Sequence, residues 1–464
     1  MKKVFSLFLS LIALMGLPAC DAEDPGNFKK PNPEESMCLT FVSSGESTIS
    51  LIKEGEPFEI TLEYSVDGDV WEPYTIGETL ELADGGELMF RAGEEGNDKF
   101  SAGYEDYYRF VISGKVDSKG NVMSLLDRDC EADSAPEAGF IYLFANCDGL
   151  VSAPVLPAKN LAPGCYSSMF YGCTSLTEAP ELPAMELAAG CYRAMLSGCT
   201  GLTKAPELPS TKLAAGCYYF MFKDCTSLTM SPALPATELG YCCYAGMFNG
   251  CTSLTEAPVL PAMKLSESCY SGMFNGCTSL TEAPILPATK LFEGCYEYMF
   301  WDCTSLTKAP ALPATELGYR CYADMFNGCT SLTEAPELSA TELADFCYGY
   351  MFCFCTSLTK APALPATGLA EGCYFSMFNG CTNLTEAPVL PATELAESCY
   401  SNMFDGCTSL NYVKALFTDK PSKESTKNWL RNVSPTGTFV KSKYAMWNVR
   451  GGNGIPEGWT VVAE

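Results

Sequence analysis

Histidine is absent from all 464 residues of the sequence. This absence excludes Ser-His-Asp and Cys-His catalysis, and it excludes every metal centre that uses imidazole ligands. The chain also lacks a glycine-rich phosphate loop and a dinucleotide-binding fingerprint. Aspartate and glutamate are plentiful, so a glycosidase or lyase built on two carboxylates stays open. The sequence nevertheless favours a protein with no enzymatic activity, no metal and no other cofactor.

Basic residues are scarce. The chain has 29 Lys and Arg against 56 Asp and Glu, which gives a formal net charge of −27 at pH 7. Such a surface repels phosphate backbones, so we expect no nucleic-acid partner.

Long apolar runs are absent after the N-terminus, so no spanning helix is predicted there. The N-terminus itself has Lys2 and Lys3, a mostly apolar stretch over 4–17, and then Leu17-Pro18-Ala19-Cys20. This order is typical of a signal peptide, and its last four residues resemble a bacterial lipobox. The resemblance implies a lipoprotein signal peptide over 1–19 and lipidation at Cys20. An ordinary secretory signal is the alternative.

Residues 20–36 are rich in proline, asparagine and charge and predict a lipid-anchored tether. Asp21-Ala22-Glu23-Asp24 resembles the surface-export signal of lipoproteins in some anaerobic Gram-negative bacteria. The resemblance implies a lipid anchor in the outer membrane with the protein exposed at the cell surface. A periplasm-facing protein is the alternative.

Residues 37–138 predict a small all-β domain, since runs of strand length are bounded by turn signals such as Asp67-Gly68. A sandwich is the expected form. Five aromatic residues there form either a ligand face or core and cross-strand pairs: Trp71, Tyr74, Tyr104, Tyr107 and Tyr108.

Asp133-Ser134-Ala135 follows the predicted β domain. These three residues resemble the O-glycosylation site of the same bacterial group, which makes Ser134 a candidate acceptor.

Two columns of cysteine recur every 26 residues, one from Cys165 to Cys399 and one from Cys147 to Cys407. Self-similarity at this period indicates a solenoid, in which each unit buries its apolar face only against its neighbours. Between the columns, apolar residues fall at i, i+1, i+4, i+5 and i+8, which predicts a short helix. The segment 176–182 predicts a parallel strand of three or four residues, because Pro180 lacks a ladder donor.

The repeated Met-Phe-x-Gly-Cys-Thr-Ser-Leu segments, as at 247–254 and 273–280, resemble the BspA-like leucine-rich repeat of bacterial surface proteins. The resemblance covers residues 139–415. It implies an α+β solenoid of about eleven 26-residue units with short parallel strands and short helices. Residues 416–464, which hold Trp429, Trp447 and Trp459, predict a C-terminal cap over the last coil.

The 26 cysteines allow three interpretations. Their spacings fit no zinc pattern. Disulfides are permitted in an exported chain, but stacked identical side chains point in parallel. We therefore favour buried free thiols that act as small hydrophobic residues. Cys242 and Cys353 fall outside both columns and are the candidates for an exposed thiol or an unusual bridge.

Most units carry small or polar residues on the outer face, but aromatic residues replace them between 295 and 375. These are the candidate binding residues: Tyr298, Trp301, Tyr319, Phe346, Tyr350, Phe354 and Phe375. Grouped exposed aromatics mark interaction sites, although rings lying flat on neighbouring coils would give the same pattern.

The resemblance implies surface display, adhesion and protein binding. We therefore expect a non-enzymatic cell-surface lipoprotein that binds an extracellular protein partner. The alternative is a glycan-binding surface lipoprotein with carbohydrate platforms on the β domain or the aromatic patch.

Overall fold

A computed structural model describes residues 37–56 and 58–464. The predicted signal peptide, Cys20 and the tether lie outside these residues. No helix in the described chain is long and apolar enough to cross a membrane.

The N-terminal part of the described chain is a sandwich of two antiparallel sheets. The strands are β1 (Leu39–Ser43), β2 (Ser47–Glu54), β3 (Leu62–Ser65), β4 (Glu72–Pro73), β5 (Thr79–Leu82), β6 (Glu87–Ala92), β7 (Tyr107–Ser113) and β8 (Val116–Lys119). One sheet has the order β8-β1-β6-β3-β4 and the other the order β5-β2-β7. Phe41, Phe90 and Phe110 are fully buried and meet edge to face, because alternating side chains of both sheets point inward.

The sandwich continues directly into the solenoid. A 3-10 helix, η1 (Val122–Leu125), is followed by β9 (Ser134–Ala135), β10 (Leu150–Ser152) and β11 (Asn160–Leu161). β10 extends the larger sheet by pairing in parallel with β8, and β11 pairs with β9. The Phe110 ring stacks on Phe144 of the first coil at 5.4 Å. The sandwich therefore covers the N-terminal end of the repeat core, which an open solenoid would expose.

The predicted short helices of the repeats are wrong. Residues 164–173 form a ribbon of successive turns in which alternate N–H groups serve different partners. Met169 N–H donates to the carbonyl of Tyr166 at 3.2 Å, within the turn. The next N–H, of Phe170, donates to Met195 in the following coil at 2.9 Å. An α-helix would keep these bonds inside one segment; here half of them join adjacent coils.

The ribbon requires a left-handed residue at every fourth position. Gly164, Ser168 and Gly172 have φ of 65°, 55° and 71°, and the equivalent residues of later coils repeat the pattern. Because the ribbon repeats every four residues, Cys165, Met169 and Cys173 still point to one side. The apolar pattern alone therefore does not distinguish the ribbon from an α-helix. Apart from η1, the described residues contain no helix.

The strands of the central repeats are also shorter than predicted. Glu178 pairs with Lys204, and Glu256 with Glu282, as single parallel bridges. Pro180 and its equivalents follow two residues later and have no N–H to continue a ladder.

The inward side chains of each ribbon are fully buried and stack on their equivalents. Cys165, Tyr166, Met169, Phe170 and Cys173 have no exposed surface. Rings of the tyrosine and phenylalanine columns lie nearly parallel, with centroids between 5.3 and 6.1 Å apart. The methionines equivalent to Met169 are likewise buried and form part of the core. Truncating one such ring should cost about 3–5 kcal/mol of stability.

The solenoid runs past residue 415, so the repeat count is about thirteen turns rather than eleven. β12 (Tyr412–Ala415), β13 (Gly437–Lys441) and β14 (Trp459–Ala463) stack in parallel. Trp429 stacks on Tyr400 at 6.1 Å, and its indole N–H donates to the carbonyl of Gly454. Residues 416–464 thus close the array as irregular coils of the same solenoid.

The left-handed residues at the end of each ribbon, equivalent to Gly172, show how adjacent coils pack together. Their column contains Asn146, Gly172, Gly198, Asp224, Gly250, Gly276, Asp302, Gly328, Phe354, Gly380, Gly406 and Asn432. Each larger residue followed by another coil of the column has glycine at the next position. A Cβ added to Gly380 would lie 2.5 Å from the Phe354 ring. A side chain in this column therefore covers the equivalent backbone of the next coil.

Gly380→Ala should destabilise the protein more than Gly276→Ala. Both glycines are left-handed, with φ of 73° and 72°, so both substitutions cost about 1–2 kcal/mol in backbone strain. Only Gly380 faces a ring, because Gly276 faces the backbone of Gly250 at 3.6 Å. Chemical denaturation measures the free energy of unfolding of both variants. When Phe354→Gly is combined with Gly380→Ala, the additional loss caused by the ring should disappear. Equal losses in the two variants would contradict the packing rule.

Candidate functional site

The outer side of the ribbons, here called the ribbon face, is lined in most coils by small or polar residues. The positions equivalent to Tyr298 hold Gly246 and Gly272 in the two preceding coils. Between 294 and 380 several outer positions carry large rings instead, so this part of the ribbon face is enriched in aromatic residues.

Six of the seven predicted aromatic residues form two groups. Tyr298 stacks on Trp301 with centroids 5.1 Å apart. In the second group, Phe375 contacts Tyr350 at 5.1 Å and Phe346 at 6.2 Å. Tyr319 joins it by an edge contact with Phe346 at 6.3 Å. These six residues are called the aromatic cluster below.

The seventh residue, Phe354, lies apart from the cluster and is 54% exposed. Its ring lies across Gly380 of the next coil, and the Phe346 ring lies across Gly372 in the same way. The interpretation of rings lying flat on neighbouring coils is therefore correct for these two phenylalanines. Tyr319 is 43% exposed, with its ring available to solvent.

Backbone conformation makes these aromatic residues costly. Tyr298, Phe346 and Tyr350 have φ of 59°, 54° and 57°, a region that disfavours residues with a Cβ by about 1–2 kcal/mol. Most other coils have Gly, Ser, Asn, Ala, Cys or Asp at these positions. Strained positions occupied by bulky residues justify a functional hypothesis.

Arg320 braces the first aromatic group, and the sequence reasoning missed it. Its guanidinium donates to Glu297 Oε1 at 2.7 Å and to the Tyr298 hydroxyl at 3.1 Å. It also lies 3.8 Å from the Asp324 carboxylate. Burial opposes the charge, but the hydrogen bond to Glu297 and the charge interactions with Glu297, Tyr298 and Asp324 together outweigh it and raise the pKa of Arg320. The sequence does contain a signal for Arg320, because the equivalent left-handed positions of the other coils hold only Gly, Ala, Ser, Cys or Phe.

Asp324 is nearly buried beneath this group, with 6% of its surface exposed. Burial raises the pKa of its carboxyl, although the Asn327 amide donates to it at 2.9 Å. Arg320 and Asp324 together hold the Tyr298 hydroxyl side of the cluster in one position.

Arg320→Met should destabilise the protein by about 1–3 kcal/mol at pH 7, because two partly buried carboxylates lose their cation. Without the cation, burial keeps the folded-state pKa of Asp324 above its unfolded value. The destabilisation should therefore be largest at neutral pH and shrink as the pH falls and the carboxyl is protonated. Urea melts between pH 7 and 4 measure this. A deficit that is constant across this range would contradict the charge assignment.

The predicted ligand face of the β domain divides into core and surface. Tyr74 and Tyr108 are buried at 7% and 4% exposure and belong to the sandwich core. The Trp71 ring lies 3.8 Å under the Arg91 guanidinium. Tyr104 and Tyr107 instead contact Tyr142 of the first coil, at 5.9 and 5.0 Å.

Every cysteine of the described residues is unpaired in the structure. In the second column each thiol from Cys173 onward donates to a main-chain carbonyl of the preceding coil, as from Cys173 to Phe144 at 3.0 Å, and Cys147 donates to Phe110 of the sandwich. Burial raises the pKa of these thiols, to about 12 for Cys199. Cys353 is only 4% exposed, so its prediction as an exposed thiol is wrong, whereas Cys242 is half-buried.

Cys38 should be the most reactive thiol of the reduced native protein among the described cysteines. A hydrogen bond from Cys130 lowers the pKa of Cys38 to about 7, and thiolate is the reacting form. Brief iodoacetamide treatment at pH 7 followed by peptide mass mapping should label Cys38 well before Cys199 or Cys381. Uniform labelling would contradict this order.

The same mapping on denatured, unreduced protein tests the prediction of free thiols. Nearly complete alkylation is expected if the two cysteine columns contain no disulfides. A largely unlabelled chain would contradict the prediction of free thiols.

Ser134 lies in β9 and is exposed, with its hydroxyl donating to Asp133 at 2.8 Å. Its glycosylation stays a prediction.

Stacked coils, a continuous apolar core and an outer face of mostly small side chains define a β-solenoid of the leucine-rich-repeat class. The family model described as "BspA type Leucine rich repeat region (6 copies)" matches residues 165–307, 218–358 and 322–420. The matches together span more than half of the chain, which therefore belongs to the BspA-type leucine-rich repeat family. Repeat solenoids of this family are typically binding scaffolds.

The chain is also similar to a solved structure titled "Crystal structure of TLR13-ssRNA13 complex". Sequence identity is 16%, the match covers 69% of this chain and 49% of that chain, and the TM-score is 0.24. The chain thus spans about half of that protein's length, and no functional argument rests on so low a score. No curated protein matches the sequence.

Proposed function

We propose that this protein is a non-enzymatic, lipid-anchored surface protein that binds an extracellular protein partner through the aromatic cluster. The observation that carries the proposal is a group of six neighbouring rings, partly or fully exposed, on a face where most coils have small or polar residues. Arg320 holds one of these rings through the Tyr298 hydroxyl. Aromatic and arginine side chains dominate the binding energy of protein interfaces. Rigid rings also lose little conformational entropy when a partner binds.

The extent of the cluster fits a protein partner. Its residues come from three coils, 294–319, 346–371 and 372–397, and Arg320 belongs to the coil between the first two. From the first to the last, these coils span about 15 Å at roughly 4.8 Å per coil. The two ring groups lie at either side of Arg320, which is itself paired. A flat, partly polar patch of this size matches the centre of a standard interface.

Binding can be tested with the purified full chain and the extracellular protein it captures. Tyr350→Ala and Trp301→Ala should each weaken the affinity for that partner by about tenfold or more. Tyr444→Ala is the matched control, because Tyr444 is 72% exposed on a distant coil. Calorimetry or surface plasmon resonance gives the affinities. Equal affinities for all three variants would exclude the cluster as the binding site.

The anchoring part of the proposal rests on the N-terminal sequence. Labelling of cells with a radioactive fatty acid should mark the native protein, and Cys20→Ala should abolish the label. Protease treatment of intact cells should then separate surface display from a periplasm-facing location.

A further inference from the structure

A second aromatic site lies where the β sandwich meets the first coils. Here a cavity of about 310 Å³ has six principal lining residues: Tyr104, Tyr142, Tyr171, Arg193, Tyr219 and Phe220. It is called the junction pocket. Neither the family match nor the aromatic cluster accounts for it.

Two parts of the fold are needed to build this pocket. Tyr104 comes from the sandwich, and its hydroxyl hydrogen-bonds to Ser167 of the second coil at 2.8 Å. The edge contact between Tyr104 and Tyr142, at 5.9 Å, joins the sandwich to the first coil. Tyr142 and Phe220 occupy left-handed positions with φ of 61° and 55°. The walls are therefore tied to the rigid ladder of coils on one side and to the sandwich on the other.

Arg193 supplies the charge of the pocket. Its guanidinium lies 4.9 Å from the centroid of the Tyr219 ring and 5.9 Å from that of Tyr104. Within the described residues, Arg193 has no ion pair to a carboxylate, although acidic residues outnumber basic ones almost two to one. The nearby Lys223 is 3.8 Å from Asp224 and is thus already paired. The pocket consequently presents one free cation held between tyrosine rings.

We propose that the junction pocket binds a short saccharide that carries a carboxylate. Tyrosine rings offer apolar faces to the C–H groups of a pyranose ring, while their hydroxyls bond to sugar hydroxyls. The guanidinium suits a carboxylate, with which it can form two parallel hydrogen bonds. The cavity volume is near the lower end for small-ligand sites, which favours one or two sugar rings over a folded protein surface.

The junction pocket and the aromatic cluster are separate sites on one face. Tyr219 and Glu297 occupy equivalent positions three coils apart, which is about 15 Å. The saccharide proposal therefore goes beyond the protein-binding proposal and can fail without it.

The test is calorimetry of the purified full-length chain with a disaccharide of galacturonic acid and with the neutral galactose disaccharide. The acidic sugar should bind at least about tenfold more tightly, because a pair of charged hydrogen bonds to the guanidinium is expected to raise the affinity by about that factor. Arg193→Gln should remove this preference, and Tyr219→Ala should weaken binding of both sugars. Lys360→Gln is the matched control, because it removes an equal charge from an exposed residue far from the pocket that also has no ion pair within the described residues.

The proposal would be overturned by equal binding of acidic and neutral sugars, by a preference that survives Arg193→Gln, or by an equal loss in Lys360→Gln. Tighter binding of an acetylated hexaglutamate peptide would also overturn it and assign the pocket to acidic peptides. Tyr350→Ala should leave saccharide affinity unchanged. A failure of the junction pocket is thereby distinguished from a failure of the aromatic cluster. Unchanged thermal melting of each variant confirms that it folds.

Discussion

The hydrogen bonds between adjacent coils organise the whole molecule. In each ribbon alternate N–H groups point along the solenoid axis, as from Ser168 to the carbonyl of Arg193 at 2.7 Å and from Phe170 to Met195 at 2.9 Å. They satisfy backbone groups that would otherwise be buried without partners. They also hold equivalent residues in register, so most buried tyrosines, methionines and phenylalanines contact the same residue type in the next coil. A coil removed from the array would lose both its bonds and its core.

This backbone sets the rules for the surface. Every fourth ribbon residue is left-handed, so the outer face is made largely of residues that tolerate that conformation. A ring placed there, such as Phe354, is accommodated where the next coil offers glycine at 380. Recognition residues are thus restricted to a few columns by sterics, and they appear in groups along the solenoid. Three rings of the aromatic cluster and two of the junction pocket lie on these columns: Tyr298, Phe346, Tyr350, Tyr142 and Phe220.

Part of this arrangement was accessible from the amino-acid pattern and part was not. The buried columns followed from the period, and the group of rings between Tyr298 and Phe375 followed from departures from it. The ribbon was mistaken for a helix because a spacing of four and a spacing of 3.6 turn the same residues inward over two turns. Arg320 and Arg193 escaped notice because each is one basic residue in a variable column. Their importance depends on Glu297, Tyr298 and Tyr104, which are distant in sequence or belong to another domain.

The sequence by itself determined the repeat, its apolar core and the family, because stacking requires the same residue type at the same position of every coil. Tertiary structure decided the local backbone, since left-handed turns and inter-coil bonds depend on a neighbouring coil being present. It also decided which outer side chains meet. Tyr104 reaches Arg193 only because the sandwich extends its sheet onto β10, and the Phe354 ring finds room only because Gly380 lies beneath it. Those contacts join residues that no single repeat contains.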